Sequence, residues 1–570
     1  VAHGPPLFLT SADSVLAAGF DAAFLIWCCR SLRRVIDSAT LFHAGAASLP
    51  IRTSLGARAL VAGVVFVSLF LQFHALADVP ARLSGEEATF GVYGHALATT
   101  GRDINGNPTP LFVNITDPLI PNHSSFTWWQ PLLFYLVAGV FRFAPVSEWW
   151  LRAPIAFLAV LNVVVMYFVA RRWFRSEWFG VLAAAMLALN PAHMILGREA
   201  MDYYCPITFC LVWLLCVSTY VDTDNAVLPA AAGLSLGVGL YSYITSWVVM
   251  PFYLVLTMLV FHQLKKPVNA TISLCGAFLV PVLALVAWLW RYPGMPLETI
   301  RNYEVPAGWK LLERANLYWD YFNPSYLFFE GASDWLWSTR RAGVFLLVFA
   351  VLIPYGIAVV LRERRSVLNC LLIAGFLAAP APIVAALPVS PRHATARAIL
   401  AVPFGILLAV AATQWFIESR HAVRRLLAMV LLCFGLLQFV SFARDYFTNY
   451  PARSAFRFDV LDVRSVVAYI IASDRASPVP QVMVSVDVGA PRSMMYRFHL
   501  TANNRLDLLS RSKYIDLNTL DGTAVPSGTL LVLKAEHPSV SQLTASGDYE
   551  IARVVTDPIE GPIASILRRR

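Results

Sequence analysis

Charge is what this chain has least of. Only 14% of its 570 residues are Asp, Glu, Lys or Arg, against roughly 25% in an ordinary soluble domain. Lysine is rare, and arginine supplies nearly all the positive charge. With 58% hydrophobic residues and a mean hydropathy of +0.61, the polar surface is too small to cover the apolar material in water. A string of soluble domains, a disordered chain, a collagen-like repeat and a disulfide-stapled secreted scaffold are all excluded. Metal-binding cysteine pairs are lacking too. Of Cys28, Cys29, Cys205, Cys210, Cys216, Cys275, Cys370 and Cys433, most sit in apolar runs, where cysteine acts as a small hydrophobe. None stands in a C-x-x-C pair with partners at metal spacing. There is no P-loop and no dinucleotide fingerprint, so no ATP-driven chemistry is indicated. The net charge of +9 is dispersed in short clusters between apolar runs, which is membrane sidedness, not a nucleic-acid footprint.

What is abundant is long apolar runs, whose solvent is lipid. The expected fold is an α-helical polytopic membrane protein of about eleven spans with juxtamembrane helices, plus a small C-terminal α/β soluble domain. Residues 1–50 read as a peripheral or disordered segment, because the run Val15–Trp27 is shorter than the ~20 residues a span needs. A transmembrane domain is expected over 51–443. Its spans fall at about 60–76, 151–170, 178–196, 203–221, 226–244, 247–263, 269–290, 342–361, 367–387, 396–416 and 424–442. Cytoplasmic turns then carry Arg171/Arg172/Arg175, Lys265/Lys266, Arg362/Arg364/Arg365 and Arg420/Arg424/Arg425. The stretch Pro131–Ala144 is too short to span, and counting it would put Arg171, Arg172 and Arg175 outside; it is expected to lie at the interface. External loops are then 78–150 and 291–341. Residues 444–570 form an external α/β domain, with an amphipathic helix at Ser465–Ala472 and strand-like runs at Gln481–Val488 and Gly528–Lys534.

Charges beside spans are costly and each needs a reason. Glu86 and Glu87 follow the first span; they either open a helix, whose N-terminus favours acids, or act as catalytic carboxylates. Arg198, Glu199 and Asp202 crowd the connection before the next span, where Asp202 either caps a helix or serves function. Pro391 to Arg397 carries His393 and Arg397, four residues apart and so on one face of a helix. They either snorkel or clamp a phosphate, to which arginine forks are matched. The loop aromatics Trp128, Trp129, Trp149, Trp150, Trp319, Trp335 and Trp337 fit an interfacial belt or carbohydrate stacking equally well.

The order of these motifs resembles the bacterial branch of the membrane glycosyltransferases of the C superfamily (family 39-like), which includes protein O-mannosyltransferases and the lipid A aminoarabinose transferase. The family's Asp-Glu-Ala motif is matched by Glu86-Glu87-Ala88, and its Thr-Gly-x-Asp-x-x-Gly stretch by Thr100 to Gly106, with Asp103 at the acidic position. A Pro-Leu-aromatic helix follows at Pro131–Tyr135 and an Arg-x-Pro entry at Arg152–Pro154. The likeness continues through Asn190–His193, Arg198, Asp202, Gly233–Gly237, Tyr241, Pro324–Gly331 and His393–Arg397. Two departures stand out: Glu86 replaces the usual Asp, and Gln130 stands where the family often has a phosphate-binding Lys.

The resemblance implies a single inverting displacement that moves a sugar from a polyprenyl-phosphate donor to an acceptor hydroxyl on lipid, polysaccharide or protein. Glu86, Glu87 and Asp202 are then the expected catalytic residues. Asp103, Gln130, Arg198, His393 and Arg397 are the expected substrate-binding residues. Some relatives use a divalent cation, but no metal spacing is diagnostic here. The expected location is the plasma membrane, the inner membrane in a Gram-negative cell, with the C-terminal domain in the periplasm or outside. Membrane lipids are expected partners; nucleic acid is not. The alternatives are a polytopic transporter, whose charges belong at mid-bilayer, and a non-catalytic envelope-binding protein or scaffold acting through its C-terminal domain.

Overall fold

The computed structural model describes residues 55–116, 127–301, 311–362, 367–386, 393–485, 491–517 and 525–570. The segment 1–50, together with Arg364, Arg365, Pro391, Arg392 and the last part of the expected strand Gln481–Val488, lies outside the described residues.

Every expected span contains a helix. The chain opens with α1 (Leu55–Phe73), then α2 (Gly85–Thr100) in the first long loop, the short antiparallel pair β1 (Val113–Ile115) and β2 (Thr127–Trp129), and α3 (Leu132–Phe141). Ten residues of α3 reach only about 15 Å at 1.5 Å per residue, half the ~30 Å hydrocarbon core; α3 cannot cross. The bundle continues as α4 (Glu148–Trp173), α5 (Glu177–Ala188), α6 (Pro191–Leu196), α7 (Pro206–Thr223), α8 (Val227–Gly239), α9 (Ser246–Gln263) and α10 (Val268–Arg291). Then come α11 (Met295–Arg301), α12 (Leu311–Asp320), α13 (Phe349–Arg362), α14 (Val367–Ala378), α15 (Ala381–Ala386), α16 (Ala401–Ile417) and α17 (Ala422–Thr448). Among the described residues, six helices are long and apolar enough to cross a membrane.

The others are shorter than the runs that announced them, for local reasons. The run 178–196 breaks at Asn190-Pro191. Asn190 Oδ1 accepts from the His193 amide at 2.9 Å, capping α6, and proline at the first helical position needs no hydrogen bond. The run 342–361 becomes helical only at Phe349, and the run at 396 begins as a single 3₁₀ turn over Thr395–Ala398. Close helix packing relies on glycine. A Cβ on Gly233 of α8 would meet the Leu274 carbonyl oxygen of α10 at 2.0 Å, and one on Gly356 of α13 the Leu408 oxygen of α16 at 1.9 Å. Small residues let the backbones touch, as lipid-embedded helices require.

The helix α17 runs past 443 to Thr448, so the last apolar run and the start of the C-terminal segment share one rod. After α18 (Tyr450–Phe458), α19 (Val463–Ala476) is capped by Asp462, whose Oδ1 accepts from the Ser465 amide at 3.3 Å. The remaining elements are β3 (Val482–Ser485), α20 (Pro491–Ala502), α21 (Asp507–Ser510), β4 (Ser512–Ile515), β5 (Leu530–Lys534), α22 (Pro538–Ala545), β6 (Tyr549–Asp557) and β7 (Gly561–Arg569). They build a five-stranded sheet in the order β4-β3-β5-β7-β6, with β3 parallel to both neighbours and β7 antiparallel to both of its own. The small α/β domain is thus present, and α20 packs on α2: Phe498 fills the space beside Gly91, where a Cβ would meet its ring at 2.5 Å.

Both long loops meet this domain at one end of the bundle. Arg457 of α18 binds Asp334 of the second long loop through Nε at 3.0 Å and Nη2 at 2.5 Å. Arg464 of α19 pairs with Glu148 at the start of α4.

Candidate active site at the loop end

The site is built around the N-terminus of α2. Ser84 and Glu87 form a capping box: the Glu87 amide donates to Ser84 Oγ at 3.2 Å, and the Ser84 amide to Glu87 Oε2 at 3.0 Å. Glu87 is fully buried. Its carboxylate also accepts from Arg152 Nε at 2.9 Å and Nη2 at 3.2 Å, and from the Ala200 amide at 3.0 Å. Arg152 in turn donates to the carbonyls of Leu76, Pro80 and Arg82 at 3.1, 3.0 and 2.9 Å. Arg198, equally buried, donates to four carbonyls, those of Leu71, Gln72, His74 and Val79, at 2.5 to 3.0 Å, and its guanidinium lies 5.0 Å from the Phe447 ring centre. The two arginines therefore staple the turn between α1 and α2, satisfying carbonyls that would otherwise be orphaned. Glu87 is thus enclosed on all sides, and the Nη groups of Arg198 are engaged by backbone carbonyls.

Glu86, one residue earlier, has the opposite setting. It keeps solvent access while protein closes around it. That desolvation raises its carboxyl above the ordinary value; Arg397 pulls it back, and Glu87 adds to the rise. Asp202, buried in the single 3₁₀ turn Asp202–Tyr204 ahead of α7, is close enough for its charge to interact with that of Glu86. The turn carrying Asp202 packs against the turn carrying Arg397. Glu86, Asp202 and Arg397, from three distant parts of the sequence, thus converge.

His393 supports this group from the side. Its backbone is left-handed (φ 61), its ring stacks on Tyr326 with centres 4.9 Å apart, and its Nε2 lies 2.7 Å from Asp320 Oδ2. Asp103 is turned inward to its own loop: Oδ1 accepts from the amides of Asn105 and Asn107 at 2.9 and 2.8 Å, and Oδ2 from Asn107 Nδ2 at 3.0 Å. These bonds shape the loop from Asp103 to Asn107. Gln130 follows Trp129, which packs on Phe90 of α2. It is buried, and among the described residues its Nε2 has no hydrogen-bond partner.

One residue went unassigned in the sequence. Glu199 is buried beside the cluster, accepts from Tyr203 Oη, and has an unpartnered Oε1. Burial holds its carboxyl well above the usual range, with Glu87 contributing. Its position between Arg198 and Asp202 was the available signal. No local signal identifies Asp320 or Tyr326, which reach His393 across tertiary contacts. Among the described residues, no group of three His, Cys, Asp or Glu side chains is arranged to hold a metal ion.

Residues 124–290 match the family model described as dolichyl-phosphate-mannose-protein mannosyltransferase. No curated protein matches the sequence. Among solved structures, the chain is similar to ArnT from Cupriavidus metallidurans bound to undecaprenyl phosphate. The TM-score is 0.54 at 13% identity, over 90% of this chain and 98% of that one. The apo form of the same protein gives a TM-score of 0.50 at 13% identity with the same coverage. The chain shares its overall fold with that membrane protein. The segment matched by the family model carries α3 to α10.

Proposed function

We propose that the chain transfers a sugar from a polyprenyl-phosphate donor to an acceptor hydroxyl at the membrane face where the long loops gather. The observation that supports this best is the convergence of Glu86, Asp202 and Arg397, with Glu86 the most exposed of the three and Arg397 partly exposed beside it. In the proposed step the acceptor oxygen attacks the anomeric carbon as its bond to the phosphate oxygen breaks, inverting the centre. The acceptor proton passes to Glu86. The acceptor hydroxyl is a far weaker acid than any carboxyl, so proton removal accompanies bond formation and demands reach and orientation. The leaving polyprenyl phosphate gains negative charge, which Arg397 offsets. Asp202 orients the acceptor, and the unpartnered Gln130 amide donates to a substrate oxygen in place of the familial lysine.

Glu87, Arg152 and Arg198 are positioning residues in this reading: they fix the first turn of α2 and so aim Glu86. His393, held by Tyr326 and Asp320, fixes the turn from which Arg397 extends. The protein acts in the plasma membrane, with its C-terminal domain on the outer or periplasmic side. ArnT bound to undecaprenyl phosphate, similar in fold, supports a polyprenyl-linked donor. The test is incubation of membranes containing the protein with a panel of radiolabelled polyprenyl-phosphate sugars, following label into lipid, polysaccharide and protein fractions. Transfer is expected, with loss on Glu86→Gln. A glycosidic bond left intact across the whole panel would overturn the reading in favour of transport or binding.

A further inference from the structure

A half-open cavity lies at the far end of α4 from the candidate active site. The helix α4 starts beside Glu87 and ends, after 26 residues, at the rim of a cavity of about 400 Å³ lined by Trp173, Arg175, Asn369, Trp415, Glu418 and Arg424, among others. At 1.5 Å per residue this places it roughly 40 Å from the candidate active site. Its floor is apolar, from Val359 and Val360 of α13, Leu372 of α14 and Ala411 of α16.

Its rim is polar and built. Trp173 Nε1 donates to Asn369 Oδ1 at 2.9 Å, joining the ends of α4 and α14. The Arg424 guanidinium lies 4.4 Å from the Trp415 ring centre and donates to Ser419 Oγ at 3.4 Å. Cation–π contact and one hydrogen bond hold the group in place while leaving most of its five N–H donors for a ligand. Arg175 is largely exposed and pairs with Asp222 at 3.0 Å. Glu418 Oε1 accepts from Gln414 Nε2 at 2.9 Å. Both signs of charge therefore border one space. The arginines belong to the clusters that mark one membrane face, where basic pockets between spans take lipid headgroups. A purely anionic headgroup would meet Glu418 unfavourably; a purely cationic one would meet the arginines.

We propose that this cavity binds the headgroup of a zwitterionic aminophospholipid from the leaflet on that side. Arg424 and Arg175 take the phosphodiester, and Glu418 takes the primary ammonium. The aromatic rim and aliphatic floor receive the glycerol and the first methylenes. A volume of this size suits a small polar ligand with its apolar stem. The site does not depend on the sugar-transfer reading, since no residue is shared.

The test is native mass spectrometry of the full chain in detergent, titrated with phosphatidylethanolamine, phosphatidylcholine and phosphatidylglycerol, and separately with soluble phosphoethanolamine. Phosphatidylethanolamine is expected to be retained about tenfold or more over the other two lipids. Competition by phosphoethanolamine would identify the headgroup alone as the ligand; its failure to compete, with the lipid still preferred, would identify the lipid as the source. Glu418→Gln should erase the preference over phosphatidylglycerol, and Arg424→Gln should weaken all phosphate-bearing ligands. Arg175→Gln, at an exposed position, keeps the test open if Arg424→Gln fails to fold, and should weaken binding several-fold. Equal retention of the three lipids, or unaltered preference in Glu418→Gln, would overturn the proposal.

Discussion

Glu86 and Glu87 share one helical turn, yet only Glu87 has its carboxylate filled by protein donors: the Ser84 and Ala200 amides and the Arg152 fork. This difference separates their variants. Glu86→Gln keeps shape and hydrogen bonding but removes the base, so sugar transfer should fall by roughly 10²–10⁴-fold with donor binding retained. Near wild-type transfer by properly inserted protein would remove Glu86 from the mechanism. Because burial raises the Glu86 carboxyl, its basic form is lost as pH falls through a value above the usual carboxylate range. The acid limb of kcat/KM should sit correspondingly high. Arg397 opposes that rise, so Arg397→Gln should move the limb to still higher pH, besides slowing the reaction. Glu87→Gln should act differently. It leaves the Arg152 guanidinium buried without its counter-charge, a loss of about 3–5 kcal/mol when a buried pair is broken from one side. Thermal unfolding in detergent would register it, whereas activity per folded molecule should fall less than in Glu86→Gln.

At the scale of elements, apolar runs revealed where helices lie but not where they stop. The run 178–196 reads as one span by hydropathy, although Asn190-Pro191 carries a cap-and-start signal that ends α5 and begins α6. The shortness of Pro131–Ala144 was legible, and α3 is shorter still. The carboxylates and arginines of the site were legible as types, since charge near a span needs a reason. What each of them contacts within the fold was not, because the carbonyls around Arg198 come from a distant turn that only the folded chain brings near. The glycines of α8 were visible as a motif without their purpose. Gly356 stands in no recognisable motif, although its contact with Leu408 sets how closely α13 and α16 pack. Gly356→Ala must push these backbones apart, and overpacking of this kind costs about 1–3 kcal/mol. A lowered thermal midpoint without a change in donor affinity per folded molecule is expected.

For the whole molecule, the question is why a transferase-like bundle carries an α/β domain against its first loop. Arg82 connects the two. Its Nη1 donates to the Asp459 carbonyl at 2.8 Å and its Nη2 pairs with Asp557 at the end of β6, also at 2.8 Å. Its own carbonyl accepts from Arg152 Nη2, the guanidinium that holds Glu87. A continuous path of buried charge-assisted bonds therefore runs from the sheet of the C-terminal domain to the turn that aims Glu86, and Phe498 pressed on Gly91 adds an apolar contact to the same helix. Both partners of the Arg82–Asp557 pair are almost fully removed from solvent. Truncating one leaves the other charge buried and unpaired, again about 3–5 kcal/mol. Arg82→Met keeps the aliphatic packing and removes the charge. It should lower the thermal midpoint and reduce kcat for sugar transfer, because the α2 turn loses its outer support. KM for the polyprenyl-phosphate donor should change little, since Arg397 and His393 lie on a different turn. Asp557→Asn, which keeps a hydrogen-bond acceptor for Arg82, should restore part of the kcat deficit relative to Arg82→Met. If Arg82→Met loses stability while kcat per folded molecule stays at the wild-type value, the domain only covers the loop, and the path from β6 to Glu86 carries no catalytic consequence.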